Sequence, residues 1–244
     1  MTPADSPSLL LAEAKRRDPD RYLCALFAPA ERREDLLALL LFNDELARIP
    51  DAVTQPMTGM IRLQWWRDAL DELLTGRPPR RHPVVEALAR LMAAGRVPAN
   101  ALYALIDARE PALEAPVPAL GWLESYAAAT GGELARAWYG ALGGTSPIEA
   151  DAAGAIGTAY TLAGLDRALR LEDAVRDDAA GMARLRALVV EIRRRATELN
   201  AAGRRRAGRP ARALMAAFLP AALVTGRGPL TPLVMAARVW LRRP

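Results

Sequence analysis

The sequence predicts an all-α protein, a single-domain helical bundle over residues 1–244. Three observations carry that reading. Ala, Leu and Arg dominate the composition, and all three are strong helix formers. Runs of β-branched and aromatic residues are scarce, with Phe, Trp and Tyr at 5% of the chain, so no segment reads as a strand. Prolines and glycines punctuate long stretches of helical periodicity instead of breaking them into short pieces. With 52% hydrophobic residues, a chain of 244 can bury one sizeable core.

Helical segments are expected at 8–18, 20–49, 56–75, 83–94, 98–109, 119–142, 147–173, 174–202, 210–225 and 231–242. The first, SLLLAEAKRR, reads as an ordinary capped helix. The second carries Leu39, Phe42, Leu46 and Ile49 at spacings of three and four, which makes one apolar stripe. Asp44 and Arg48 fall opposite that stripe at i,i+4, where a solvated ion pair is expected. Pro50 removes a backbone donor and ends the helix before Asp51.

Pro56 then opens a helix that runs to a glycine stop, with Arg62, Trp65, Trp66 and Arg67 in its middle. Adjacent tryptophans cannot share a helix face. One is expected in the core and the other beside a cavity, with the arginines available to stack or to hold an anion. TGRPPRRHP at 75–83 and REPALEAPVP at 109–118 read as loops too short to divide the chain into domains. DAVRD at 173–177 and RRR at 193–195 put acids and cations at opposite ends of one segment, as the helix dipole favours. ALMAAFLPAALV is interrupted by Pro220 and falls short of the roughly 20 residues that span a bilayer.

The net charge is +5, nearly all the cations are Arg, and many stand beside acids. Such an excess does not by itself imply nucleic acid, and no nucleic-acid-binding motif accompanies it. The basic runs at 193–195 and 204–206, with Arg209 and Arg212, suit a solvated helix end or peripheral contact with anionic lipid headgroups. Cys24 is the only cysteine and His82 the only histidine, which excludes an intramolecular disulfide, a multi-cysteine cluster and a multi-histidine metal site. Cys24 reads as a small core residue. The N-terminus shows no secretory pattern, so a cytoplasmic location is expected, with peripheral contact at the inner membrane as a second expectation.

The order of motifs adds to this. FNDELARIPD (42–51) is followed by Leu63, Trp66 and Arg67, by Tyr126 with Thr130, Gly131 and Gly132, and by IGTAYTLAGLDRALRLED (156–173). From about Asp20 to Leu169 the sequence resembles the squalene/phytoene synthase family, the all-helical head-to-head prenyl synthases. That family's first motif ends in D-x-x-x-D, and the resemblance places its aspartates at Ala47 and Asp51. Its second, lGlAlQLTNILRDvgED, lies on residues 156–172 without a gap: Gly157, Ala159, Leu162, Leu165 and Arg167 match. Its Gln, Asn and first Asp fall on Thr161, Gly164 and Ala168, and the final acid survives as Glu172 or the neighbouring Asp173. The Tyr- and Arg-containing segment that follows in active members is absent, since AVRDDAAGMARLRALVVEIRRR runs directly into the next helix.

Ionising an allylic diphosphate requires Mg²⁺ with several oxygen ligands in nearly octahedral geometry, and one acid per helix makes a poor cage. The resemblance is closer still to a branch with the pattern FN-x-E-[IL]-A followed by P-x-x-G-x-[IM]-R-x-Q-[WF]-W, here Phe42, Asn43, Glu45, Leu46, Ala47, Pro56, Gly59, Arg62, Gln64, Trp66 and Arg67. That branch includes a mitochondrial respiratory complex I assembly factor and uncharacterised bacterial relatives. What it implies is a pseudoenzyme without catalytic residues or cofactor, binding a protein partner or an isoprenoid lipid. The alternative is an active Mg²⁺-dependent prenyltransferase. Candidate cavity or diphosphate-binding residues are Arg62, Trp66, Arg67, Tyr126 and Arg167, and the residual acids are Asp51, Glu172 and Asp173.

Overall fold

Residues 6–114, 119–173 and 179–224 are described by a computed structural model, and every regular element among them is helical. The chain runs α1 (Ser6–Arg17), α2 (Pro19–Ala25), α3 (Ala30–Ala47), α4 (Pro56–Leu74), α5 (Pro83–Ala93), α6 (Ala99–Asp107), α7 (Leu120–Ala127), α8 (Glu133–Ala141), α9 (Pro147–Asp173) and α10 (Ala179–Ala207). Short 3-10 turns form at Pro50–Ala52, Glu110–Glu114, Arg212–Ala217 and Leu219–Ala222, and a π turn, Ala128–Gly132, joins α7 to α8. The expected all-α bundle is therefore present.

Three segments differ from their expected form. The helix expected at 20–49 is two helices, because Pro29 takes an extended backbone, φ −49° and ψ 140°, and restarts the chain as α3. The segment expected at 210–225 closes into 3-10 turns in place of an α-helix, as Pro220 lacks the amide hydrogen that α geometry would use. The helix expected at 119–142 contains the π turn. The segment expected at 231–242 and most of DAVRD lie outside the described residues.

At the centre lies α3. Leu39, Phe42, Leu46 and Ile49 are all buried as the stripe requires, but so are Leu36, Leu37, Ala38, Leu40, Leu41 and Asn43. From Leu36 to Asn43 the helix is therefore enclosed on every side, with α1, α2, α5, α6 and α8 packed around it. Each leucine so buried contributes about 1.5–3 kcal/mol over an exposed one. Trp66 of α4 caps the cluster edge-on to Phe42, with ring centroids 5.2 Å apart, while Trp65 is 37% exposed. The adjacent tryptophans thus divide as their spacing demands.

On the other side α9 packs against α7, α8 and the π turn. The approach is close. A Cβ on Gly131 would stand 1.8 Å from Thr161 Oγ1 and 2.8 Å from the Gly157 carbonyl oxygen, and a Cβ on Gly157 would stand 2.3 Å from the Gly131 carbonyl oxygen. Backbone on both sides cannot yield as a flexible side chain can. Gly157→Ala is therefore expected to destabilise the fold by at least about 1–3 kcal/mol, read as a lower urea midpoint; an unchanged midpoint would contradict this packing.

Candidate functional site

The close crossing of the π turn over α9 forms one wall of a central cavity of about 300 Å³. The other walls come from α2, the end of α3, the turn after α6 and α7. Ala47, Thr161 and Gly164, the positions where the resemblance expects an aspartate, a glutamine and an asparagine, all line it. None brings a carboxylate. Among the described residues the charged side chains in the lining are Arg21 and Arg109.

Arg109 is 3% exposed. Its Nη2 donates to Asn43 Oδ1 at 2.6 Å and to the Asn43 carbonyl at 3.3 Å, and its Nη1 donates to the Tyr126 hydroxyl at 2.5 Å. Its Nε is buried without a hydrogen-bond partner, and no carboxylate among the described residues lies within ion-pair distance of it. Burial pulls the Arg109 guanidinium below its ordinary value, partly opposed by Tyr126. It nevertheless keeps its charge, as arginine does in proteins. Arg21 differs: it is ion-paired with Asp18 at 2.6 Å and lies 5.2 Å from the Tyr160 ring centre. Burial acts against its charge, and Asp18 and Tyr160 outweigh that effect to raise it above its ordinary value. The Tyr160 hydroxyl donates to Asp20 at 3.2 Å, and burial pushes that phenol well up.

The turn that carries Arg109 inward is held from outside by α4. Arg67 bonds both Asp107, at 2.6 Å, and Glu110, the acids on either side of Arg109. Gly59 leaves room for Leu113, whose Cδ2 would stand 2.3 Å from a Cβ at that position. Arg67 is thus spent on two carboxylates and does not join the cavity. Arg62 and Trp66 line a different groove of about 350 Å³ with Trp65, His82, Glu45 and Arg48. Tyr126 alone of the candidates with described side chains faces the central cavity. Asp51 is exposed on the Pro50–Ala52 turn and lines neither space. Arg167, Glu172 and Asp173 belong to α9 by backbone, but their side chains lie outside the described residues.

FNDELA is resolved at the same helix end. Asn43 takes Arg109, while Arg17 of α1 donates to Asp44 and Glu45, each at 2.7 Å. Asp44 also pairs with Arg48 at 3.1 Å. The pair expected to be merely solvated therefore belongs to an interhelical cluster. Cys24 is a core residue as expected, and burial pushes its thiol well up.

The model of the family described as squalene/phytoene synthase matches residues 14–177. The chain belongs to that family. Two solved structures share the fold: a dehydrosqualene synthase in complex with ligand, TM-score 0.73 at 13% identity over 98% of this chain and 96% of that one, and the squalene synthase HpnC from Alicyclobacillus acidocaldarius, TM-score 0.68 at 19% identity over 99% and 97%. Among curated proteins, NADH dehydrogenase (ubiquinone) complex I, assembly factor 6 of Bos taurus is 36% identical over 100 residues, 41% of this chain and 30% of that protein. Its Drosophila melanogaster homolog is 28% identical over 163 residues, 64% of this chain and 48% of that protein. The match thus spans under half the length of each of these two relatives.

The family implies Mg²⁺, a hard divalent cation that requires oxygen anions, and the described side chains of the cavity lining do not supply them, since the charged groups among them are guanidiniums, while the side chains of Asp166, Glu172 and Asp173 on α9 lie outside the described residues. Among the described residues no three of His, Cys, Asp and Glu come together in an arrangement that could hold a metal ion. Sequence reasoning found Asn43 through its motif and missed Arg21, Arg109 and Tyr160. Arg109 stands at the start of an assumed loop, where no periodicity marks a residue that turns inward.

His82 packs edge-on against Trp65 and Trp66, at 5.8 and 5.2 Å, and its Nδ1 is buried without a partner. Burial lowers its pKa, Arg17 adding to the effect and Glu45 and Glu86 opposing it. With the folded value depressed, the neutral ring's contribution to stability is fully present above the unfolded value and is lost as pH falls through the folded one. The wild type should therefore lose more stability than His82→Gln as pH falls from about 7.5 to 5.5, across the ordinary histidine value of about 6.5. Parallel curves from thermal unfolding would count against this.

Proposed function

We propose that the chain is a noncatalytic member of the squalene/phytoene synthase family that acts as a binding or assembly factor, with a respiratory complex as client. One observation carries this reading: Ala47, where the resemblance expects an aspartate, and Gly164, where it expects an asparagine, line a cavity whose charged groups, among the described residues, are arginines. Among the described residues Mg²⁺-assisted loss of diphosphate has no oxygen cage to start from there. The client is suggested by the curated relatives, which are complex I assembly factors.

A surface suited to a protein partner supports the binding half. On α4, Met57, Met60, Ile61 and Trp65 are exposed at i, i+3, i+4 and i+8, one apolar stripe with Arg62 beside it. The branch motif divides accordingly. Gly59 and Trp66 have packing reasons to be what they are, whereas Ile61, Arg62 and Gln64 point outward. An isoprenoid lipid is a second ligand consistent with the scaffold. No helix among the described residues is long and apolar enough to cross a membrane.

Purified protein incubated with farnesyl diphosphate and Mg²⁺ should release no pyrophosphate above background, and Asp51→Ala should change nothing. Magnesium-dependent release that Asp51→Ala abolishes would reinstate the prenyltransferase. In cells, loss of the gene should lower the amount of assembled NADH dehydrogenase complex, and Ile61→Glu should fail to restore it. That exposed substitution should alter stability by no more than about 0.5 kcal/mol; an undiminished complex in the gene's absence removes the assembly role.

A further inference from the structure

We propose that the face between α4 and the end of α3 docks an amphipathic helix of a partner protein, apolar side chains in the groove and a carboxylate against Arg62. That partner is the client of the binding role proposed above, and the assignment rests on that role. Two grooves adjoin there. One, of about 350 Å³, is walled by Ile49, Trp65, Trp66 and His82, and the other, of about 290 Å³, runs from α1 to the start of α5 along Leu9, Leu41 and Val84. Glu45 and His82 line both, so the two make one trough. No residue lines both this trough and the central cavity, which lies across α3 from it. Along the rim, Met57 is 68% and Ile61 64% exposed, with Met60 and Trp65 on the same side of the helix. Methionine, tryptophan and arginine are residues that protein interfaces enrich, and this face presents all three.

Shape and charge select the occupant. From Met57 to Trp65 the stripe runs about 12 Å, roughly two turns of a partner helix whose anchors recur at i, i+3 or i+4 and i+7. The described residues form no strand, so they offer no sheet edge to an extended peptide. Most charges at the trough are already matched: Glu45 by Arg17 at 2.7 Å, Arg48 by Asp44 at 3.1 Å, and Arg80, over the Trp65 ring, by Glu72 at 2.8 Å. Arg62 lines the trough and has no ion pair among the described residues, nor has exposed Arg81 beside His82. Asp51 also lacks an ion pair among them, but it does not line the trough. The unmatched charge in the lining is therefore positive, which calls for a carboxylate. Farther along α4 the sign changes, because Asp68 accepts from Gln64 and Asp71 from the Tyr103 hydroxyl, neither from a cation. A partner must keep its acids at the Arg62 end. That demand fits a helix held in one register and disfavours a uniformly anionic lipid surface.

The test is display selection of random peptides about four helical turns long on the purified full chain, after removal of those that bind Ile61→Glu. Enriched sequences should carry apolar residues at helical spacing and a net negative charge. The strongest binder, synthesised and labelled, should saturate the wild type in fluorescence anisotropy and bind Arg62→Glu at least about tenfold more weakly. Arg62→Gln, which removes the charge without reversing it, should give a smaller loss. Both positions are exposed, an unchanged urea midpoint verifies each variant, and Met57→Glu replaces Ile61→Glu should that variant not fold. No enrichment, enrichment of basic or uncharged sequences, or binding that Arg62→Glu leaves intact overturns the proposal. So do two other occupants: binding to phosphatidylglycerol vesicles that Ile61→Glu abolishes assigns the face to a bilayer, and a dimer in analytical ultracentrifugation that the same change splits assigns it to a second copy. The assembly role fails separately, since it is read from complex levels in cells lacking the gene, whereas the selection uses no client.

Discussion

A helix enclosed on all sides has no surface on which to leave a polar group, and α3 imposes that constraint on everything around it. From Leu36 to Phe42 it meets the constraint with apolar side chains alone. At Asn43, Asp44 and Glu45 it no longer can. The polar groups there are matched by arginines: Asn43 by Arg109 from the turn after α6, Asp44 and Glu45 by Arg17 from α1, and Asp44 also by Arg48, one turn onward at the end of α3 itself. The segment with the most resemblance to a catalytic motif is thus an electrostatic junction that fixes three parts of the chain around one helix end.

That junction depends on supports far from it in sequence. Arg67 and Gly59, both on α4, hold the turn containing Arg109 from its outer side, one through Asp107 and Glu110 and the other by making room for Leu113. A motif spread over α3 and α4 therefore specifies the position of a residue that it does not contain. Burying one arginine in this way costs several kcal/mol unless its surroundings compensate it. Such a cost is borne where a charged interior has a use.

The all-α class, the burial of one tryptophan and the exposure of its neighbour, and the packing role of Cys24 could all be read from spacing and composition. Those features follow local rules of periodicity and size. The enclosure of α3 could not be read this way, because Leu37, Leu40 and Leu41 fall off the stripe and only the finished bundle covers them. The site was legible in part. Tyr126 and the replaced positions Ala47, Thr161 and Gly164 emerged from motif order and do line one cavity. Arg67 was misplaced because a guanidinium in a motif looks the same whether it will meet a ligand or two carboxylates. Arg109 left no trace, since its burial is decided by the partners it meets across the fold and not by its neighbours in the chain.

The π turn between α7 and α8 bears on which changes this scaffold can accept. An α-helix advances about 100° per residue, so the wider turn resets the phase between Tyr126, which faces the cavity, and Leu134 and Trp138, which face the core. Removing a single residue from Ala128–Gly132 would restore a regular helix and rotate everything on one side of it by more than a quarter of a revolution. Trp138 would then turn away from the core or Tyr126 away from Arg109. The segment can vary in composition at positions with space around them, but its length is a fixed count that the packing on both sides of it enforces.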